Sequence, residues 1–283
     1  MNALSAAWLL VKDTLTGFIE DEGLSRGASI AYYTLFSIAP VLLVVVAIAG
    51  LAFGREAAEG AIVDQLSVLM GHKTAEALQG MIESAAKPGE GAVATIIGVI
   101  VLIIAVSGVF GEVQSAMNAI WKAKPRTSAF TRLVRARLVS MGLVVTCGFL
   151  LTVSLATSAA LAALSTYLKY VFPQIQTVLN LFDLVMSAAL IGGMFAAIFK
   201  VLPDTDIAWR DVAIGALAST ILFEAGKYAI AFYIGQSNVA SSYGAAGALI
   251  ILLVWIYYSA QIFLLGAEFS RAYAKRYGSH ANP

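Results

Sequence analysis

Two long apolar runs within the stretch Ile214 to Phe269 constrain the fold most strongly. Each is long enough to cross a bilayer as a helix, and the connector between them, 236–244, carries no charged residue. Glu224 and Lys227 lie in the middle of the first run. Either charge alone would cost roughly 2.5–3.5 kcal/mol at the bilayer centre, but on a helix the two are neighbours and neutralise each other. The stretch is therefore typical of a polytopic membrane protein.

Composition extends this interpretation to the whole chain. Of the 283 residues, 60% are hydrophobic and 12% are charged, which is about half the charged share usual in soluble domains. The apolar residues form blocks separated by charged segments. The blocks predict an all-α transmembrane bundle, the membrane domain 28–270, with six spans at about 28–53, 92–111, 138–164, 181–200, 212–235 and 245–268.

Helical structure is also predicted outside the spans. Apolar side chains recur in residues 1–27 at spacings of four and three, which predicts an amphipathic helix on the membrane surface. These side chains are Leu4, Trp8, Val11, Leu15 and Phe18. Residues 54–91 are predicted to be an outer loop with two short amphipathic helices. Pro40, near the middle of the first span, predicts a helix kink because proline removes one backbone hydrogen bond.

The distribution of basic residues predicts the orientation. With six spans, both termini lie on one side, and that side holds thirteen of the eighteen lysines and arginines. The other side holds four. Because basic residues accumulate in cytoplasmic loops, we expect the N-terminal segment and the tail 271–283 to be cytoplasmic and the protein to lie in a bacterial inner membrane.

The segment 122–137 is the most basic part of the chain. It contains six lysines and arginines and no acidic residue. Such a segment serves as a topology signal, or contacts anionic lipid headgroups at around 1 kcal/mol per basic residue. Arg132 and Arg135, with Asn118 nearby, are the candidates for headgroup contact or a cytoplasmic gate. Nucleic-acid binding is not expected, since Phe130 is the only aromatic residue among these charges.

Ionisable and tyrosine side chains within or beside the last two spans are the candidates for a substrate or proton site. They are Glu224, Lys227, Tyr228, Tyr243 and Glu268. Intramembrane charges are functional candidates by default. The alternative for Glu224 and Lys227 is an ion pair that fixes helix packing. The alternative for Glu268 is an interfacial carboxylate that pairs with Arg271 at i+3.

Several motifs together resemble the YihY/virulence factor BrkB family. They are Ala31–Pro40 (AYYTLFSIAP), Ser107 followed by Asn118-Ala119-Ile120-Trp121, Leu202-Pro203-Asp204, Phe223–Lys227 (FEAGK), Tyr243-Gly244, and Trp255-Ile256-Tyr257-Tyr258 followed by Leu265-Gly266-Ala267-Glu268. The likeness covers about 20–270, with the motifs in the same order and spacing. It implies a six-helix inner-membrane protein. A ribonuclease BN label accompanies sequences of this kind.

The residues do not favour ribonuclease activity. A zinc nuclease needs several His, Asp or Cys ligands around an open metal position. This chain has two histidines, His72 and His280, on opposite sides of the predicted membrane, and its one cysteine, Cys147, lies in a predicted span. Neither a metal site nor a cofactor is expected, and we do not expect the protein to be an enzyme.

Transport is the function that the pattern favours. We expect a transporter or flippase-like protein for a lipid or a small polar or anionic solute. The alternative is a non-transporting envelope scaffold or regulator that binds a partner through the outer helices at 55–87. Membrane lipids, anionic headgroups at the basic segment and a second copy of the chain are the expected partners.

Overall fold

The computed structural model describes residues 3–70, 75–76, 78–80, 107–123, 142, 149, 153, 156–157, 175–236 and 245–279. This part of the chain is all helical and contains no strand. Its helices are α1 (Ala3–Glu20), α2 (Gly23–Phe53), α3 (Arg55–Met70), α4 (107–120), α5 (Ile175–Val201), α6 (Trp209–Gln236) and α7 (Ala245–Arg276).

A sharp turn separates α1 from α2. The last turn of α1 closes with a bond from the Asp21 amide to the Gly17 carbonyl at 2.8 Å. Glu22 then adopts a left-handed conformation with φ 58°, which ends the helix. The predicted N-terminal segment 1–27 is therefore divided, and α2 begins at Gly23, five residues before the predicted first span.

α2 bends in the region where a kink was predicted, and α7 is longer than predicted. α2 bends by 51° between Gly23–Ile38 and Val41–Leu51, at the position of Pro40. α7 continues to Arg276, so the first residues of the predicted tail are helical. Its last two turns carry charged side chains that lie against α1, and this packing explains why the helix outlasts the apolar run.

Small residues let α6 and α7 approach closely. Gly215 lies against Ser270, Gly266 against Ser219, and Gly226 against the hydroxyl end of Tyr258. Residue numbers rise along α6 as they fall along α7, so the two helices are antiparallel. Glycine and serine at a helix contact allow the close backbone approach on which membrane helices depend for packing.

The interior of the described part of the chain contains two apolar clusters at opposite ends of α7. The first joins α1, α4, α5, α6 and the second half of α7, and includes Phe18, Met117, Ile120, Phe199, Val212 and Leu264. The second joins α2, α3, the short helical stretch 78–80 and the first half of α7, and includes Leu42, Val46, Ile62, Leu78, Leu252 and Ile256. We call the end with α1 and the last turns of α7 the termini end.

Two helices of the described chain are long and apolar enough to cross a membrane, at Leu184–Val201 and Leu249–Arg276. The bent helix α2 would make a third if its two arms form one span. α6, which carries Glu224 and Lys227, is not among them. The predicted spans 92–111 and 138–164 lie largely outside the described residues, so the count of six stays a prediction.

The contact between α6 and α7 can be tested at Gly215. A Cβ there would overlap Ser270 and lie 3.0 Å from the Gly266 carbonyl oxygen. Gly215→Val should therefore destabilise the protein by roughly 1–3 kcal/mol, the usual cost of overpacking, measured as a lower midpoint of thermal unfolding. Gly193→Val is the control, because a Cβ at Gly193 meets nothing within 4 Å. Equal midpoints for both variants would contradict the packing.

Candidate functional site

Four charged side chains meet at the termini end and form what we call the buried charge cluster: Asp21, Lys122, Glu268 and Arg271. Asp21, whose side chain is 6% exposed, pairs with Lys122 and with Arg271, the latter at 3.1 Å from Nη1 to Oδ2. The same Nη1 lies 3.7 Å from Glu268 Oε2. The cluster thus joins the turn after α1, the end of α4, and α7.

Local backbone geometry positions Lys122. The residue has a left-handed conformation with φ 49°, and its amide donates to the Ala119 carbonyl at 3.1 Å. These features end α4 at Ile120, two residues before Lys122. As a result Lys122 leaves the helix beside the α1–α2 turn and reaches Asp21.

Glu268 is buried, with 2% of the residue exposed. Gly17 of α1 makes this possible, because a Cβ at that position would lie 2.7 Å from Glu268 Oε2. The other oxygen, Oε1, is buried and accepts no hydrogen bond within the described chain. The predicted i+3 approach of Arg271 is present, but the carboxylate lies inside the protein and not at its surface. Arg132 and Arg135, the candidates for a cytoplasmic gate, lie outside the described residues.

A cleft of about 560 Å³ opens beside the cluster, between α1 and the last turns of α7. Its charged lining comprises Lys12, Asp13, Glu20, Glu268, Arg271, Lys275 and Arg276. Arg276 Nη2 pairs with Asp13 Oδ2 at 2.9 Å across the cleft. The cleft therefore presents both signs of charge at the end of an apolar bundle.

Asn118 joins α4 to the turn between α5 and α6. Its Nδ2 donates to Asp204 Oδ2 at 2.9 Å, and its Oδ1 accepts from the Asp204 amide at 2.8 Å. Gln114 Nε2 lies 3.4 Å from the other Asp204 oxygen. Both ends of the Asn118 side-chain amide are therefore bonded to Asp204. This contact joins the motif that begins at Asn118 to the motif Leu202-Pro203-Asp204. Spacing along the chain gave no signal for this contact, since 86 positions separate the partners.

Asp211 fixes the last described residues to the start of α6. It is fully buried, and its Oδ2 accepts bonds from the hydroxyl and the amide of Ser279 at 2.6 and 3.1 Å. Ser270 Oγ donates to the Asp211 carbonyl at 2.7 Å. A carboxylate in the first turn also suits the positive end of the helix dipole.

Glu224 and Lys227 form an ion pair part-way along α6, with 2.7 Å between Oε2 and Nζ. The pair is not sealed, since the side chains are 17% and 21% exposed. Glu224 Oε1 is buried and accepts no hydrogen bond within the described chain. The neighbouring Phe223 ring lies 5.6 Å from that of Trp255 on α7. Tyr243 and the side chain of Tyr228, the other candidates here, lie outside the described residues.

The structure separates the two charged sites. Gly226, beside Lys227, contacts Tyr258 of α7, and Glu268 follows Tyr258 by ten residues. At 1.5 Å per residue, about 15 Å of α7 lies between the ion pair and the buried charge cluster. Glu268 therefore does not join Glu224 and Lys227 in one site. Asp21 was not among the predicted site residues. The only feature of the sequence that points to it is its position at the helix break before Gly23.

Comparison with known proteins identifies the family. The profile of the family named virulence factor BrkB matches residues 14–283. The chain belongs to the virulence factor BrkB family. It is therefore an integral membrane protein, as the resemblance of its sequence motifs implied. No solved structure matches this chain.

Its curated relatives carry the name UPF0761 membrane protein. One from Alcanivorax borkumensis is 27% identical over 274 residues, which cover 96% of this chain and 61% of the relative. One from Klebsiella pneumoniae is 32% identical over 197 residues, or 69% of this chain and 65% of the relative. One from Legionella pneumophila is 29% identical over 272 residues, or 93% and 61%. The chain spans about three fifths of the length of such BrkB-family relatives.

The ribonuclease label of BrkB-like sequences can be compared with the positions of possible metal ligands in the structure. Across the described ranges, no three His, Cys, Asp or Glu side chains come together as metal ligands. Asp204 and Asp211, both near the start of α6, bind Asn118 and Ser279 instead.

Arg271 can be tested as the cation that permits two carboxylates to be buried. Arg271→Met should lower the free energy of unfolding by about 3–5 kcal/mol, because Asp21 and Glu268 lose a charged partner. Chemical or thermal denaturation in detergent measures this. Arg276→Met is the control on the same helix, and it should cost at most about 1 kcal/mol because its pair with Asp13 is more exposed.

A triple variant separates lost charge pairing from lost packing. Asp21→Asn, Glu268→Gln and Arg271→Met together leave no charge unpaired among these three residues. This protein should recover most of the stability that Arg271→Met loses. A triple variant as unstable as Arg271→Met alone would show that Arg271 stabilises through packing.

Proposed function

We propose that this BrkB-family protein is a transporter or flippase-like protein for a lipid or a small polar or anionic solute. It acts in the bacterial inner membrane with both termini in the cytoplasm. The observation that supports this most is the incompletely buried Glu224–Lys227 pair on α6, which serves as the substrate or proton site.

The depth of the pair favours this role. Glu224 follows Trp209 by fifteen residues, or about 22 Å in a helix of about 42 Å, so it lies near the middle of α6. Charges at such depth in a membrane bundle are costly and are associated with substrate or proton pathways. Most of the other charged side chains of α6 and α7 lie at the termini end.

Incomplete satisfaction of the pair also favours function over packing. A pair that only fixes helix packing is most stable when it is sealed from solvent and every polar atom is hydrogen-bonded. Here both side chains retain some exposure, and Glu224 Oε1 lacks a hydrogen bond within the described chain. An oxygen in this state keeps an unused acceptor position that can take up a proton.

Contacts at the termini end support the proposed orientation. Asp21 meets Lys122 and Arg271, and Asn118 meets Asp204. The segments before α2, after α4, between α5 and α6, and at the end of α7 therefore lie together, as expected for loops on one side of the membrane. Their excess of lysine and arginine favours the cytoplasm.

The proposal is tested with Glu224→Gln in proteoliposomes. The probes are fluorescently labelled phosphatidylglycerol, with dithionite quenching as a measure of movement between leaflets, and radiolabelled phosphate as a small anion. We expect wild-type protein to accelerate one of them, and Glu224→Gln to reduce that rate at least about tenfold with an unchanged unfolding midpoint. Glu59→Gln, which breaks the exposed i,i+4 pair with Arg55, is the matched control.

Two outcomes would contradict transport. If Glu224→Gln moves the active probe at the wild-type rate, the pair is not the site. If wild-type protein moves neither probe and Glu224→Gln merely unfolds at lower temperature, the pair is structural and a scaffold or regulatory role is favoured.

A further inference from the structure

We propose that the cleft between α1 and α7 binds the phosphodiester of a membrane phospholipid. Its described lining residues include neither Glu224 nor Lys227. Binding at equilibrium does not depend on transport, so the inference stands apart from the proposed function.

Ion pairing leaves two cations of the cleft available. Arg276 is held by Asp13, and Arg271 is held by Asp21 and Glu268. Lys12 of α1 and Lys275 of α7 line the same cleft and form no ion pair within the described ranges. They stand on opposite walls, so an anion between them would gain a charge-assisted bond from each helix.

The net charge of the residues that line the cleft limits how much negative charge a bound ligand can carry. Among the described lining residues, four basic side chains face three acidic ones, Asp13, Glu20 and Glu268, which leaves a formal net charge of +1. A phosphodiester carries one negative charge and matches this excess, whereas a multiply charged anion would meet repulsion from the carboxylates. Thr16, also in the lining, adds a hydroxyl donor. A volume of about 560 Å³ falls within the range of ligand sites.

An exposed apolar stripe on α1, beside the face that lines the cleft, favours a lipid as the source of the phosphodiester. Trp8, Val11, Leu15 and Ile19 recur at spacings of three and four along α1 and are 44–75% exposed. In an integral membrane protein such a stripe lies in the boundary between headgroups and acyl chains. The polar face of the same helix forms the cleft, so the cleft opens at headgroup depth. A lipid can place its phosphate between the lysines and its acyl chains beside α1.

Native mass spectrometry of the full chain in detergent tests the site. The probe is dioleoyl-phosphatidylglycerol, and dioleoylglycerol is the same lipid without the phosphate. Lys12→Gln with Lys275→Gln should weaken binding of the phospholipid at least about tenfold, since each charge-assisted bond contributes that much. Arg55→Gln with Arg210→Gln removes the same charge outside the cleft, and binding should stay within about twofold of wild type.

Further variants and competing ligands separate the possible explanations of the result. Lys12→Arg with Lys275→Arg retains both charges and should keep binding, which separates charge loss from misfolding. Equal binding of dioleoylglycerol, or equal binding by the Gln double variant and wild type, would overturn the proposal. If glycerol phosphate displaces the bound lipid at the same concentration as a competing phospholipid does, the site binds a free phosphate ester. That result would overturn the lipid assignment.

Discussion

The close antiparallel contact of α6 and α7 is the constraint on which the rest of the structure depends. Within a bilayer, helices gain little from burying apolar surface against each other, so close packing must hold them. Glycine and serine at Gly215, Ser219, Gly266 and Ser270 provide that contact. It fixes the helix that carries Glu224 and Lys227 against the helix that carries Glu268 and Arg271. Both charged sites are therefore positioned by one seam of small residues.

The charged side chains described above form two groups, one at the termini end and one near the middle of α6. At the termini end, Asp21 and Glu268 are buried but share the cation Arg271, and Lys122 closes the group from the surface side. Near the middle of α6, a single carboxylate and a single ammonium face each other with partial exposure. The first arrangement ties three segments together, as a structural cluster does. The second contacts no charge on another described helix, and this is one reason why we propose a functional role for it.

Local spacing predicted part of this structure. The i+3 pairs Glu224–Lys227 and Glu268–Arg271 follow from helix geometry, and both are present. The pairings of Asp21 with Lys122 and of Asn118 with Asp204 join residues 101 and 86 positions apart. They depend on helix packing and on left-handed residues at Glu22 and Lys122, which side-chain periodicity does not report. The end of α1 and the extension of α7 were misjudged for the same reason, because contacts with other helices determine them.

The arrangement of the segments around the membrane is tested most directly by cysteine accessibility. In a Cys147→Ala background, single cysteines at Thr16, Asp206 and Glu59 would be labelled with a membrane-impermeant maleimide in intact cells and in inverted membrane vesicles. We expect Thr16→Cys and Asp206→Cys to react only in inverted vesicles and Glu59→Cys to react only in intact cells. Labelling of positions 16 and 206 from opposite sides would contradict a single termini end, and with it the joint placement of the buried charge cluster and the cleft.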